Sequence, residues 1–195
     1  MSPERTAMVE QLDVAPAEIV RRLKAHRTLG SAPDAELRWM AAHGVMRRFQ
    51  EGAVFVAAGQ SDGMDRAVEG LHVLLDGHLA IYVDRGAGRH KVMEWRTGDV
   101  SGLLPYSRMR ASPGDVIFEE PSELLTVYRE HFPEMLRDCP DVTARLVHVM
   151  LDRARHFTST DLHDEKMKSL GKLAAGLAHE LNNPMTAIVG YLAIL

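Results

Sequence analysis

The hydrophobic pattern changes period twice along the chain. Residues 3–45 read as helical, with one segment at Ala17–His26 and another at Pro33–His43. In the second, Asp34 and Glu36 stand in the first turn and Gly44 follows the last, as helix ends prefer. From Val45 the pattern shortens to runs of period two. M-R-R-F-Q-E-G-A-V-F-V (46–56), L-H-V-L-L-D-G-H-L-A-I-Y-V (71–83) and H-K-V-M-E-W-R-T-G-D-V (90–100) read as short strands parted by Gly or Asp turns. The pair Asp76–Gly77 between two alternating runs predicts a hairpin. Further strands are expected at Asp115–Phe118 and Leu124–Tyr128, then helices at Arg129–Arg137 and Asp141–His156.

A last helical pattern fills the C-terminus. Advancing about 100° per residue from Leu170, Ala174, Leu177, Leu181, Met185, Ile188, Leu192 and Leu195 all fall within about 60° of it. His179 lies about 180° away, among Lys172, Ala175, Gly176, Asn183, Thr186 and Gly190. It is therefore no core residue, and the small side chains around it leave room for something bulky to approach. Asn183 sits one turn beyond it on the same face. Pro184 lacks the N–H that would bond the carbonyl of Glu180, so the helix should bend there. The stripe continues in phase through Thr186–Leu195, which favours a bend over a stop.

Composition narrows the classes. The 195 residues are 46% hydrophobic and 26% charged, ordinary for a globular chain with a sizeable core. The net charge of −4 brings no basic surplus, so nucleic acid is not an expected partner. A single cysteine, Cys139, excludes an internal disulfide and fits a reducing cytosol as a structural thiol. No signal peptide and no complete membrane span is expected, since the start is polar and no run of about 18 apolar residues occurs. His148, His156 and His163 lie on helical segments without a carboxylate or cysteine grouping at ligand spacing, so no metal is expected there. Leu195 falls mid-pattern without a cap, which reads as a chain cut inside a longer protein.

Residues 167–195, M-K-S-L-G-K-L-A-A-G-L-A-H-E-L-N-N-P-M-T-A-I-V-G-Y-L-A-I-L, resemble the phosphoacceptor (H-box) helix of two-component sensor histidine kinases. The resemblance implies that His179 is the phosphoacceptor, Glu180 the general base for its ring proton, and Asn183 the residue that positions water for phosphatase chemistry. It also implies ATP and Mg2+ held by a kinase domain absent from this chain, a homodimer through the C-terminal helix, and a response-regulator receiver domain as partner.

Residues from about Ala32 to Phe157 resemble the cyclic-nucleotide-binding domains. The landmarks are Arg48–Gly52 with Gly59, the core run at 71–82, the T-G-D-V turn at 97–100 and S-E-L-L-T-V-Y-R-E-H-F at 122–132. The family's phosphate cassette is altered. Leu103 stands where the ribose-binding Glu belongs, and counting back from Ser122 puts the usual phosphate-binding Arg near Ser112. A buried ribose hydroxyl left unpaired costs about 1–3 kcal/mol, so ordinary cAMP or cGMP binding is not expected. Another small anionic ligand, held by Tyr106, Arg108 and Arg110, is the alternative use of this loop.

The expected fold class is α+β: a cyclic-nucleotide-binding-like (cupin-like) β-roll flanked by helices, then the long C-terminal helix of a truncated dimerisation and phosphoacceptor four-helix bundle. The expected divisions are an N-terminal helical segment (1–31), the sensory domain (32–157), a helical linker (158–166) and the phosphoacceptor helix (167–195). Leu146, Val149 and Met150 before the linker and Leu162, Met167 and Leu170 after it suggest one continuous dimer seam. The expected function is the sensory and phosphoacceptor portion of a cytoplasmic histidine kinase. The alternatives are a non-catalytic ligand-binding or dimerisation module, and a transcription regulator, which would need a basic recognition helix where this chain has a His-Glu face.

Overall fold

The computed structural model describes residues 9–56, 68–84, 88–106, 112 and 114–155. The N-terminal elements are β1 (Val9–Gln11), α1 (Pro16–Ala25), α2 (Asp34–His43), β2 (Gly44–Phe49) and β3 (Val54–Val56). The roll continues with β4 (Gly70–Asp76), β5 (His78–Asp84), β6 (Arg89–Arg96), β7 (Val100–Gly102), β8 (Asp115–Phe118) and β9 (Ser122–Tyr128). A 3-10 turn, Arg129–His131, leads into α3 (Phe132–Asp138), and α4 spans 140–155. By compactness the chain divides into two units, Met1–Met150 and Leu151–Leu195; of the second, the described residues are 151–155, all helical.

Two antiparallel sheets form the roll, a five-stranded one in the order β1-β2-β9-β4-β7 and a four-stranded one in the order β3-β8-β5-β6. The larger sheet has an apolar cluster on each face, and the smaller sheet shares the inner one. Leu71, Val73, Leu125 and Val127 of the larger sheet face Leu23, Leu37, Met40, Met135, Val142 and Leu146 from the helices. Leu74 and Leu124, one step out of phase on the same strands, face Phe49, Leu79 and Phe118 inside the roll. β4 and β9 thus bury both faces, which is why they read as nearly unbroken apolar runs. Each such fully buried Leu or Phe contributes about 1.5–3 kcal/mol.

Three sequence expectations fail here. Residues 3–45 are not uniformly helical: Val9–Gln11 form an edge strand on β2, in the register Val9↔Phe49 to Gln11↔Arg47. Three residues are too few to display a period. Asp76–Gly77 does not join a hairpin, because β4 and β5 belong to different sheets. A register shift between Leu74 and Asp76 and the positive φ of Gly77 (103°) turn the chain from one sheet to the other. A side chain on Gly77 would run into the Ser122 hydroxyl, whose Oγ accepts from the His78 N–H at 3.1 Å. The T-G-D-V turn expected at 97–100 is present, as the corner between β6 and β7. The third failure concerns the dimer seam: Leu146 is fully buried in the domain's own core, with Val149 and Met150 packed against it. The exposed apolar residue of this stretch is Leu151.

Candidate functional site

The segment leading toward the expected phosphoacceptor is anchored from the N-terminal helices. Cys139 separates α3 from α4: its N–H bonds the Met135 carbonyl at 2.8 Å, and its own carbonyl accepts from the Thr143 N–H at 3.0 Å. Pro140 opens α4, where its missing N–H costs nothing. The next two amides, Asp141 N–H and Val142 N–H, donate to the Glu36 carboxylate at 3.2 and 2.8 Å. Glu36 is 5% exposed, so a carboxylate from α2 caps a helix 105 residues away. Burial, with Glu36, Asp138 and Glu134 nearby, pushes the Cys139 thiol up to about 12, which suits a structural thiol. His179, Glu180, Asn183 and Pro184 lie outside the described residues, as do the linker 158–166, Arg108, Arg110, His156 and His163. His148 is exposed on α4.

The altered cassette begins at β7. The loop after α1 anchors the preceding corner: the Thr28 hydroxyl donates to the Gly98 carbonyl at 2.7 Å, and Arg27 pairs with the Asp99 carboxylate. Gly102 has φ 74° and lies against the Gly70 carbonyl and the His72 ring, where no Cβ fits. Leu103 N–H then donates to Gly70 O at 2.8 Å, and Leu103 and Leu104 are both buried. At the expected ribose-binding position the chain therefore presents a buried aliphatic group. At the expected phosphate-binding position, Ser112 is buried and its hydroxyl donates to the Gly114 carbonyl at 2.8 Å. Tyr106 is the one non-glycine residue of positive φ (63°) among the described residues, and its side chain is exposed.

Below this loop, His72 is buried between the sheets, its Nδ1 3.1 Å from the Thr126 hydroxyl and its ring edge-on to Phe55. Desolvation, with Arg47 adding to it, lowers its pKa to about 3, so it stays neutral. Sequence reasoning also missed two clusters whose members come from distant segments. On the outer side of β5 and β6, His78 Nε2 lies 3.1 Å from Glu94 and 3.0 Å from Glu119. Lys91 Nζ bridges the same two carboxylates at 3.2 and 2.7 Å. Glu119, though partly desolvated, is held below the usual carboxylate range by Lys91 and the Tyr82 hydroxyl. The second cluster is His43, His131 and Glu134, at the end of α2 and the start of α3. Its one local signal is the i, i+3 pair His131–Glu134 at a helix start.

Known proteins resemble the two parts separately. Residues 169–195 match the His Kinase A (phospho-acceptor) domain family. Over 34 residues the chain is 53% identical to Sporulation kinase A of Bacillus subtilis (strain 168), a stretch covering 17% of this chain and 6% of that protein. A segment similar to the phospho-acceptor family thus follows a fold similar to that of cyclic-nucleotide-binding domains. The fold is similar to a cyclic nucleotide-binding domain from Methylobacillus flagellatus KT, at 15% identity and TM-score 0.57, covering 80% of this chain and 87% of that one. It is similar also to the sensor domain of the transcriptional regulator DNR from Pseudomonas aeruginosa (13% identity, TM-score 0.55, 74% of this chain and 93% of that one). The regulatory subunit of a cAMP-independent protein kinase A from Trypanosoma cruzi, bound to guanosine, matches at 21% identity and TM-score 0.54, over 67% of this chain and 45% of that one. No described helix is long and apolar enough to cross a membrane.

Proposed function

We propose that this chain is the sensory and phosphoacceptor portion of a cytoplasmic two-component histidine kinase. The match of residues 169–195 to the phospho-acceptor family carries the reading. His179 supplies the nucleophile: its unprotonated ring nitrogen attacks the γ-phosphorus of ATP, the N–P bond forms as the bond to the ADP oxygen breaks, and Glu180 takes the ring proton. ATP and Mg2+ are held by a kinase domain outside this chain. Phosphohistidine then passes the phosphoryl group to an aspartate of a response regulator, and in the phosphatase reaction Asn183 orients the water that hydrolyses that phosphoaspartate to release phosphate. The stripe from Leu170 to Leu195 pairs in a homodimer. The β-roll is the input module. Leu103 and Ser112 in place of the usual carboxylate and guanidinium argue against an ordinary cyclic nucleotide and leave Tyr106, Arg108 and Arg110 for another anionic ligand.

The test is incubation with a matching ATP-binding domain and γ-labelled ATP. An acid-labile, base-stable label that disappears in His179→Gln is the expected result. Absence of label in both proteins overturns the reading in favour of a non-catalytic binding module, which the altered cassette alone would not decide.

A further inference from the structure

We propose that His43, His131 and Glu134 form a divalent transition-metal site, with zinc the ion it fits best. The inference does not depend on the role given to His179. His43 closes α2, and its Nδ1 lies 2.9 Å from the Trp39 carbonyl. A carbonyl can only accept, so Nδ1 carries the proton of the neutral ring and Nε2 is left with a free lone pair. This is the outer-sphere arrangement that orients metal-binding histidines. Stacking on Trp39, with centroids 4.1 Å apart and planes at 17°, holds the ring in place.

The free Nε2 points at two further donors. Glu134 Oε1 lies 3.6 Å away, and the His131 ring meets His43 edge-on with centroids 5.2 Å apart. One donor atom from each of the three lies within 4.8 Å of the others. Donors on a zinc ion at bond lengths of about 2.0–2.2 Å stand roughly 3.4 Å apart, so closing the site takes only small side-chain rotations. Two imidazoles and a carboxylate make the set used by open zinc sites, with a fourth position for water. The absence of sulfur in this set disfavours copper(I), and its two nitrogens disfavour calcium and magnesium. The three side chains are 27%, 32% and 42% exposed, which gives an ion and a water access.

Charge separates this cluster from the other histidine–carboxylate group. There, the Lys91 ammonium already sits on both carboxylates. Here Arg137 forks onto Asp138 at 2.8 and 2.9 Å, with its charge also near Glu134, and Glu134 Oε1 faces the His43 Nε2 lone pair at 3.6 Å. Asp138 adds negative potential near His43, as a neighbouring outer-sphere carboxylate would. An ion here would tie the end of α2 to the 3-10 turn and α3, the elements from which α4 departs.

The full 195-residue chain, freed of metal, would be titrated with zinc against a chromophoric chelator and loaded with cobalt(II) for visible spectroscopy. One ion per chain, binding tighter than about 10 μM, is expected. Visible bands of four- or five-coordinate cobalt are expected in the wild type and not in His131→Ala or Glu134→Gln, both at partly exposed positions. Zinc affinity should fall at least about tenfold in each variant, while His148→Ala binds as the wild type does. Urea midpoints of the metal-free variants establish that they fold. Binding that is absent, or that persists unchanged in both variants, overturns the proposal.

Discussion

Replacing Glu36 by Ala tests whether α2 and α4 are one mechanical unit. The substitution removes the acceptor of two amides, Asp141 N–H and Val142 N–H, at 3.2 and 2.8 Å. Loss of a helix N-cap side chain costs about 0.5–2 kcal/mol. Val142 is fully buried, so its N–H has poor access to replacement water, and an unpaired buried donor costs about 1–3 kcal/mol. The terms overlap, and together they give about 2–3 kcal/mol. For a chain of this size that is a fall in Tm of about 4–12 °C. Urea unfolding followed by the fluorescence of Trp39 and Trp95 would measure it. Glu36→Gln keeps one carbonyl acceptor and should lose about half as much. A Glu36→Ala midpoint equivalent to less than about 0.5 kcal/mol would refute the capping account, since that is the scatter of neutral surface changes.

Three other outcomes follow from the structure. His72 has a folded pKa of about 3 against an ordinary value of 6.5, so it stabilises the fold fully above pH 6.5. That contribution is lost as pH falls toward 3, at up to about 1.4 kcal/mol per pH unit, and His72→Gln should show a flatter acid limb in urea midpoints measured against pH. Gly77→Ala forces a Cβ into the Ser122 hydroxyl at φ 103° and should cost about 2–3 kcal/mol by denaturant titration; a neutral result would remove the sheet-crossing constraint. Cys139, buried and pushed up to about 12, should react with a thiol reagent only at the rate of unfolding. Because its folded value is raised, its contribution to stability is present below the unfolded thiol's pKa and lost as pH rises toward 12; Cys139→Ala should flatten that alkaline limb.

Most element types were legible in the sequence because they are written in local periodicity. The helix expected at Pro33–His43 is α2 (Asp34–His43), and the strands expected near 115–118 and 124–128 are β8 and β9. Leu103, expected at the ribose-binding position, is buried, as its apolar side chain leads one to expect. Pairing was not legible. The turn chemistry of Asp76–Gly77 is the same whether the next strand folds back on β4 or crosses to the other sheet. The crossing wins because β4 already has β9 and β7 as neighbours, while β5 needs β6 and β8.

By itself, then, the sequence determined the apolar faces, most of the elements and the likeness of residues 169–195 to the phospho-acceptor family, each held in residues a few positions apart. Tertiary structure alone decided that Glu36 caps a helix 105 residues away, that Leu146 belongs to the domain core rather than a dimer seam, and that His43 meets His131 and Glu134. Periodicity records which face of an element is apolar. It carries no record of which distant element will cover that face, and these assignments depend on that choice.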